Sequence, residues 1–159
     1  MPAYVLLDTA LCLFASVHII SYDLRHHRIT NLSLGRFILA IAALKFVESI
    51  AGAESVDFLG SIADAVVALA LFTCIYYISG SSMGLGDVKL ATVLAALAGL
   101  GSIRNFIFWI CAIWIWGGVH ASVIALRYRT FHQRIAFAPA LFGGTLTYLA
   151  MRIWSSLPQ

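Results

Sequence analysis

At 159 residues, 62% of them hydrophobic and 11% charged, the chain is far more apolar than the roughly 45 to 50% of soluble domains, and its mean hydropathy is +0.94. This composition excludes a soluble globular domain and a disordered chain, and implies an all-α, polytopic membrane protein. The formal charge of +3, from ten Lys and Arg against seven Asp and Glu, is small and gives no case for a nucleic-acid partner.

Six apolar stretches approach the length needed to cross a hydrocarbon core of about 30 Å at about 1.5 Å per residue. They fall near 3–22, 34–53, 58–79, 88–103, 105–126 and 135–154. The first begins with Met-Pro-Ala-Tyr and has neither a basic leader nor a small-x-small cleavage signal, so it reads as a retained helix. The fourth is the shortest, its apolar part stopping at Leu100. With no repeat and no polar insert, residues 1–159 read as a single transmembrane domain. Cys12, Cys74 and Cys111 sit inside apolar runs without metal-ligand spacing and read as small buried hydrophobes. Trp109, Trp114, Trp116 and Trp154 read as belt or lipid-facing aromatics.

Orientation follows the basic residues. Arg25, Arg28 and Arg36 lie at the first connection, Arg127, Arg129 and Arg134 at the fifth, and Lys89 beside the third. The positive-inside rule puts those loops in the cytoplasm and both termini on the other side of an inner, multi-pass membrane location. The membrane lipid is then the surrounding solvent.

Gly84-Leu85-Gly86-Asp87-Val88-Lys89-Leu90 places an acid between a glycine-rich loop and an apolar helix, a costly position for a carboxylate without a use or a partner. Gly84 and Gly86 lack Cβ, which admits turn conformations and close approach of a second polypeptide. The topology sets Asp23 at the same face, although 64 residues separate it from Asp87. Two carboxyl groups in one site do not readily both ionise. One can then activate a water while the other donates to a scissile carbonyl, with no metal or cofactor. Asp87 opens a helix and Asp23 closes one, so the macrodipole favours Asp87 as the resting base and Asp23 as the resting acid, within a pair that titrates jointly.

Of the other acids, Glu54 and Asp57 fall in the second connection, whereas Asp8, Asp64 and Glu48 lie in the outer half with Lys45 and Arg152 and read as an internal polar cluster in which Lys45 and Glu48 pair three residues apart. Two other functions stay open. A small transporter or proton-coupled channel would use Asp8, Asp64, Lys45 and Glu48 as a relay. A metal-dependent membrane hydrolase would ligate zinc through His26, His27, Asp23 and Asp87. His18 and His120, at similar depth, can hydrogen-bond across the bundle. Lys89, two positions past Asp87, reads as an interface anchor.

These residues resemble a type IV prepilin peptidase, a polytopic aspartyl protease of the GxGD class that also includes presenilin and signal peptide peptidase. Asp23-Leu24-Arg25-His26-His27-Arg28-Ile29-Thr30-Asn31 is similar to the family's first catalytic motif, and Gly84 to Leu90 to its second. Ile135 to Gly143 resembles its proline- and glycine-containing last helix. The resemblance implies catalytic Asp23 and Asp87, a substrate-binding loop at Gly84, Gly86 and Asn31, and a prepilin-like substrate cut at the cytoplasmic face ahead of its hydrophobic helix, usually after a glycine. Thr30 stands where the family usually has proline, leaving the turn less constrained. Nothing corresponds to the paired-CxxC domain of bifunctional members, so the resemblance implies a peptidase without methyltransferase activity, similar to Flp/Tad-type and archaeal preflagellin peptidases.

Overall fold

The structure, a computed structural model, describes residues 3–26, 29–50, 58–80, 83–128 and 136–156. These form α1 (Ala3–His26), α2 (Asn31–Ile50), α3 (Phe58–Ile78), α4 (Leu85–Ala98), α5 (Ile103–Tyr128) and α6 (Ala138–Ser155). The described residues contain no strand, as the composition requires. Within α1, α3 and α5 the segments Tyr4–His26, Phe58–Ile78 and Ile103–Arg127 are long and apolar enough to cross a membrane. Their outer faces are apolar too: Phe14, Val17, Ile78 and Leu126 are all largely exposed. With lipid as solvent, such exposure carries no hydrophobic cost.

Helix ends follow local chemistry. Thr30 caps α2, its Oγ1 accepting the Ser33 backbone N–H at 3.2 Å and its carbonyl accepting from Leu34. Thr30, standing where the resemblance expects proline, thus serves as the cap of the helix that follows. α2 starts at Asn31, three residues before its apolar stretch suggests. Pro139 stands in the first turn of α6, where a missing N–H costs nothing.

The core is built around α4, which packs on α2, α3 and α6 and buries Val88, Leu90, Ala91, Val93, Leu94, Ala95, Leu97 and Ala98. At 14 residues it rises only about 21 Å, less than a hydrocarbon core. A helix ending at membrane depth exposes carbonyls that water cannot satisfy, so the protein must do so. Gly99 takes a left-handed φ of 55° and returns its N–H to Ala95. Arg152 of α6 donates to the carbonyl of Ala98 at 2.7 Å. Asp64 of α3 accepts the N–H groups of Leu100 at 2.6 Å and Gly101 at 3.1 Å. The expected outer cluster thus divides, with Asp64 and Arg152 holding the end of α4 and Asp8, Lys45 and Glu48 forming a separate group.

In that second group the Lys45 ammonium sits 2.8 Å from both Asp8 oxygens and 3.1 Å from Glu48 Oε2. All three side chains are buried, which ties α1 to α2. Among the described residues Glu48 Oε1 has no hydrogen-bond partner.

Small residues let α5 and α6 approach closely. A Cβ on Gly144 would lie 2.6 Å from the Ile113 backbone nitrogen, and one on Gly143 2.9 Å from the Trp116 ring. Trp109, expected at the surface, is fully buried and donates to Thr145 Oγ1 at 2.9 Å. Cys74 and Cys111, expected inside, are exposed, while Cys12 is buried. Hydropathy fails at these positions because the inside and outside of a membrane bundle are both apolar.

Candidate functional site

Asp23 lies in the last turn of α1 and is only 4% exposed. Its Oδ2 accepts the backbone N–H of Ala138, the first residue of α6, at 3.3 Å. Asp87 lies in the first turn of α4, three residues after the N-cap Gly84, and its Oδ2 accepts the Gly84 backbone N–H at 3.2 Å. This is the carboxylate half of a capping box. The two acids act on one another electrostatically, so the fold brings them into one neighbourhood.

The two motif segments also touch through their flanking residues. A Cβ on Gly86 would lie 3.1 Å from Cβ of Ile29, so glycine is what lets the start of α4 approach the segment after α1. Lys89 Nζ donates to Asn31 Oδ1 at 3.2 Å. Lys89, expected as an interface anchor, therefore links the two motifs.

Several expectations are corrected. The fourth helix runs over Leu85–Ala98, not 88–103, so Gly86 and Asp87 are helical and not in a loop. Gly84 has φ −75°, open to any residue; among the described residues the left-handed glycines are Gly80, Gly99 and Gly101. The role of the motif glycines is therefore close approach, without special backbone angles. The proposed division into acid and base also loses its footing. Asp23 closes α1 but meets the N-terminus of α6, so both carboxylates face the positive end of a helix.

His26 is turned back on its own helix, its Nδ1 3.2 Å from the Tyr22 carbonyl and its ring stacked on Tyr22. His27 lies outside the described residues, among which no three His, Cys, Asp or Glu side chains converge as metal ligands. His18 pairs with Ser33 Oγ at 3.3 Å, between α1 and α2, whereas His120 Nδ1 is buried with no hydrogen-bond partner among the described residues. Sequence reasoning missed the Ala138 N–H. The signal for it was Pro139, which marks a helix start and with it a set of N–H groups lacking partners within the helix.

The profile of the type IV leader peptidase family matches residues 10–121, well over half of the chain. The chain belongs to the type IV leader peptidase family. No curated protein and no solved structure matches it. As a member of the type IV leader peptidase family it is a membrane peptidase, and the family implies pilin precursors as substrates. The matched span takes in Asp23, Asn31, Gly84, Gly86 and Asp87 and stops short of α6, whose first N–H reaches Asp23.

Proposed function

We propose that this leader peptidase is an aspartyl endopeptidase that removes the leader of type IV prepilin-like precursors at the cytoplasmic membrane face, with Asp23 and Asp87 as its catalytic pair. The observation that carries this reading is the junction of the two acid-bearing motif segments, Gly86 closing on Ile29 and Lys89 bonded to Asn31, in a chain of a peptidase family. Carboxyl groups so placed share a proton. The ionised member takes a proton from water as the water's oxygen attacks the scissile carbonyl carbon. The protonated member donates to the carbonyl oxygen, and a proton is returned to the amine as the C–N bond breaks. No metal or cofactor enters these steps.

Gly84, Gly86 and Asn31 are assigned to the surroundings of the extended leader. Gly86 and Asn31 hold the α1–α2 connection against α4, and Gly84 offers the carboxylate of Asp87 its N–H. The substrate helix lies in the bilayer while its leader reaches the level of the acids. Cys12, Cys74 and Cys111 form no paired CxxC, and the product is expected to carry an unmethylated N-terminus.

The test is incubation of the full chain, in detergent or membranes, with pilin-like precursors, followed by N-terminal sequencing and mass measurement of the products. Cleavage ahead of the hydrophobic helix, lost in Asp23→Asn and in Asp87→Asn and indifferent to a chelator, is the expected result. Retained cleavage in either variant, or loss with chelator and recovery with zinc, overturns it.

A further inference from the structure

A groove of about 350 Å³ runs between α1 and α2, and neither Asp23 nor Asp87 lines it. Its floor is buried Ala15, Ile19 and Phe37. At one end His18 and Ser33 are hydrogen-bonded to one another at 3.3 Å. From that pair Leu11 and Ala40 each lie seven residues further along their antiparallel helices, so about 10 Å deeper toward the middle of the bilayer. Phe14 and Phe37 stand between. The lining thus passes from polar to apolar over about 10 Å, in the sense in which a phospholipid passes from headgroup to chain.

The charge of the groove matches the same ligand. Arg36 lines it, is exposed, and forms no ion pair among the described residues. Helical side chains lean toward the helix N-terminus, which for Arg36 is the Ser33 end. Among the described residues no acidic one lines the groove. A second groove, between α2, α3 and α4, differs in this respect. Its single cation is Lys45, which is already held by Asp8 and Glu48.

We infer that the α1–α2 groove binds an anionic phospholipid, its phosphate held by Arg36, Ser33 and His18 and an acyl chain lying along Ala15, Phe37 and Ala40. A guanidinium and a hydroxyl beside an imidazole suit a phosphate oxygen, and basic residues between helices at the membrane surface favour anionic headgroups. The site is independent of the Asp23 and Asp87 pair and stands whether or not those acids cleave a peptide bond.

The test is native mass spectrometry of the full chain, delipidated in detergent and titrated with dioleoyl-phosphatidylglycerol or dioleoyl-phosphatidylcholine. The wild type is expected to retain the anionic lipid at least about 5-fold more strongly, the preference one surface Arg supplies. Arg36→Gln should erase that preference. Arg104→Gln, at an exposed arginine starting α5, should keep it. Ala40→Phe, which fills the apolar end without changing charge, should lower retention of both lipids. Equal retention of the two lipids by the wild type overturns the inference. So does a loss in Arg104→Gln equal to that in Arg36→Gln, which would mean diffuse attraction. Displacement of the lipid by inorganic phosphate or by the hydrophobic helix of a pilin precursor would also overturn it, by assigning the groove to a free ion or to substrate.

Discussion

Lys89 of α4 and Asn31 of α2, 58 residues apart, are joined by a hydrogen bond of 3.2 Å from Nζ to Oδ1. Each belongs to a different motif segment, and the bond fixes the start of α4 against the start of α2. An exposed bond of this kind contributes about 1 kcal/mol, or about 5-fold in an equilibrium or rate. Lys89→Met and Asn31→Leu are each expected to lower kcat/KM for precursor cleavage by about that factor. The double variant should be no worse than either single one, and Asn31→Asp, which keeps an acceptor, should be close to wild type. Time courses of leader removal at limiting substrate read all four.

Asparagine at position 23 or 87 keeps an oxygen that can accept the Ala138 or Gly84 N–H and removes only the ionisable group. Cleavage is therefore expected to fall by about 10²- to 10⁴-fold in either variant while the helical content and thermal midpoint in detergent stay near wild type. Loss of folding in parallel with activity would instead mark the acids as structural caps.

Gly86→Val should place methyl groups against Ile29, whose Cβ is 3.1 Å from the position of a Cβ on Gly86. Overpacking of that kind costs about 1 to 3 kcal/mol. Adding Ile29→Ala is expected to recover much of the lost processing, because the space is returned at the same contact. No recovery would show that the glycine acts through backbone freedom and not through close approach.

The α5–α6 contact offers a test of packing alone. Gly144→Ala drives a Cβ to 2.6 Å from a backbone atom of Ile113, which no rotamer change relieves, whereas Gly118→Ala meets nothing within 4 Å. The first is expected to lower stability by about 3 kcal/mol and the second to change it little. Thermal unfolding of the two variants in one detergent separates them.

Lys45→Met leaves the Asp8 and Glu48 carboxylates buried without their cation. Breaking a buried pair in this way costs about 3 to 5 kcal/mol. The yield of folded protein is expected to drop, with cleavage per folded molecule unchanged. Adding Asp8→Asn and Glu48→Gln should restore the yield. A change in cleavage per folded molecule would connect this cluster to the chemistry.

Much of this was legible in the sequence because membrane proteins obey few rules strictly. Apolar length gave the six helices in order, since only a helix satisfies its own backbone in lipid. Two short polar strings in apolar surroundings gave Asp23 and Asp87, since a carboxylate at such depth needs a reason. The pairing of Lys45 with Glu48 followed from a spacing of three on one helix.

Other features depended on which helices meet. Hydropathy alone could not place Trp109 inside or Cys74 and Cys111 outside, because lipid and core attract the same side chains. Nor could spacing show that Asp64 and Arg152 finish a helix too short for the bilayer. The sequence by itself determined the kind of protein, the number of helices and the acids worth watching, all consequences of local composition. Only the tertiary structure set the N-terminus of α6 against Asp23 and Lys89 against Asn31, because contacts between segments far apart in the chain arise from packing, and a segment alone can show a group in need of a partner, as Pro139 does, without naming that partner.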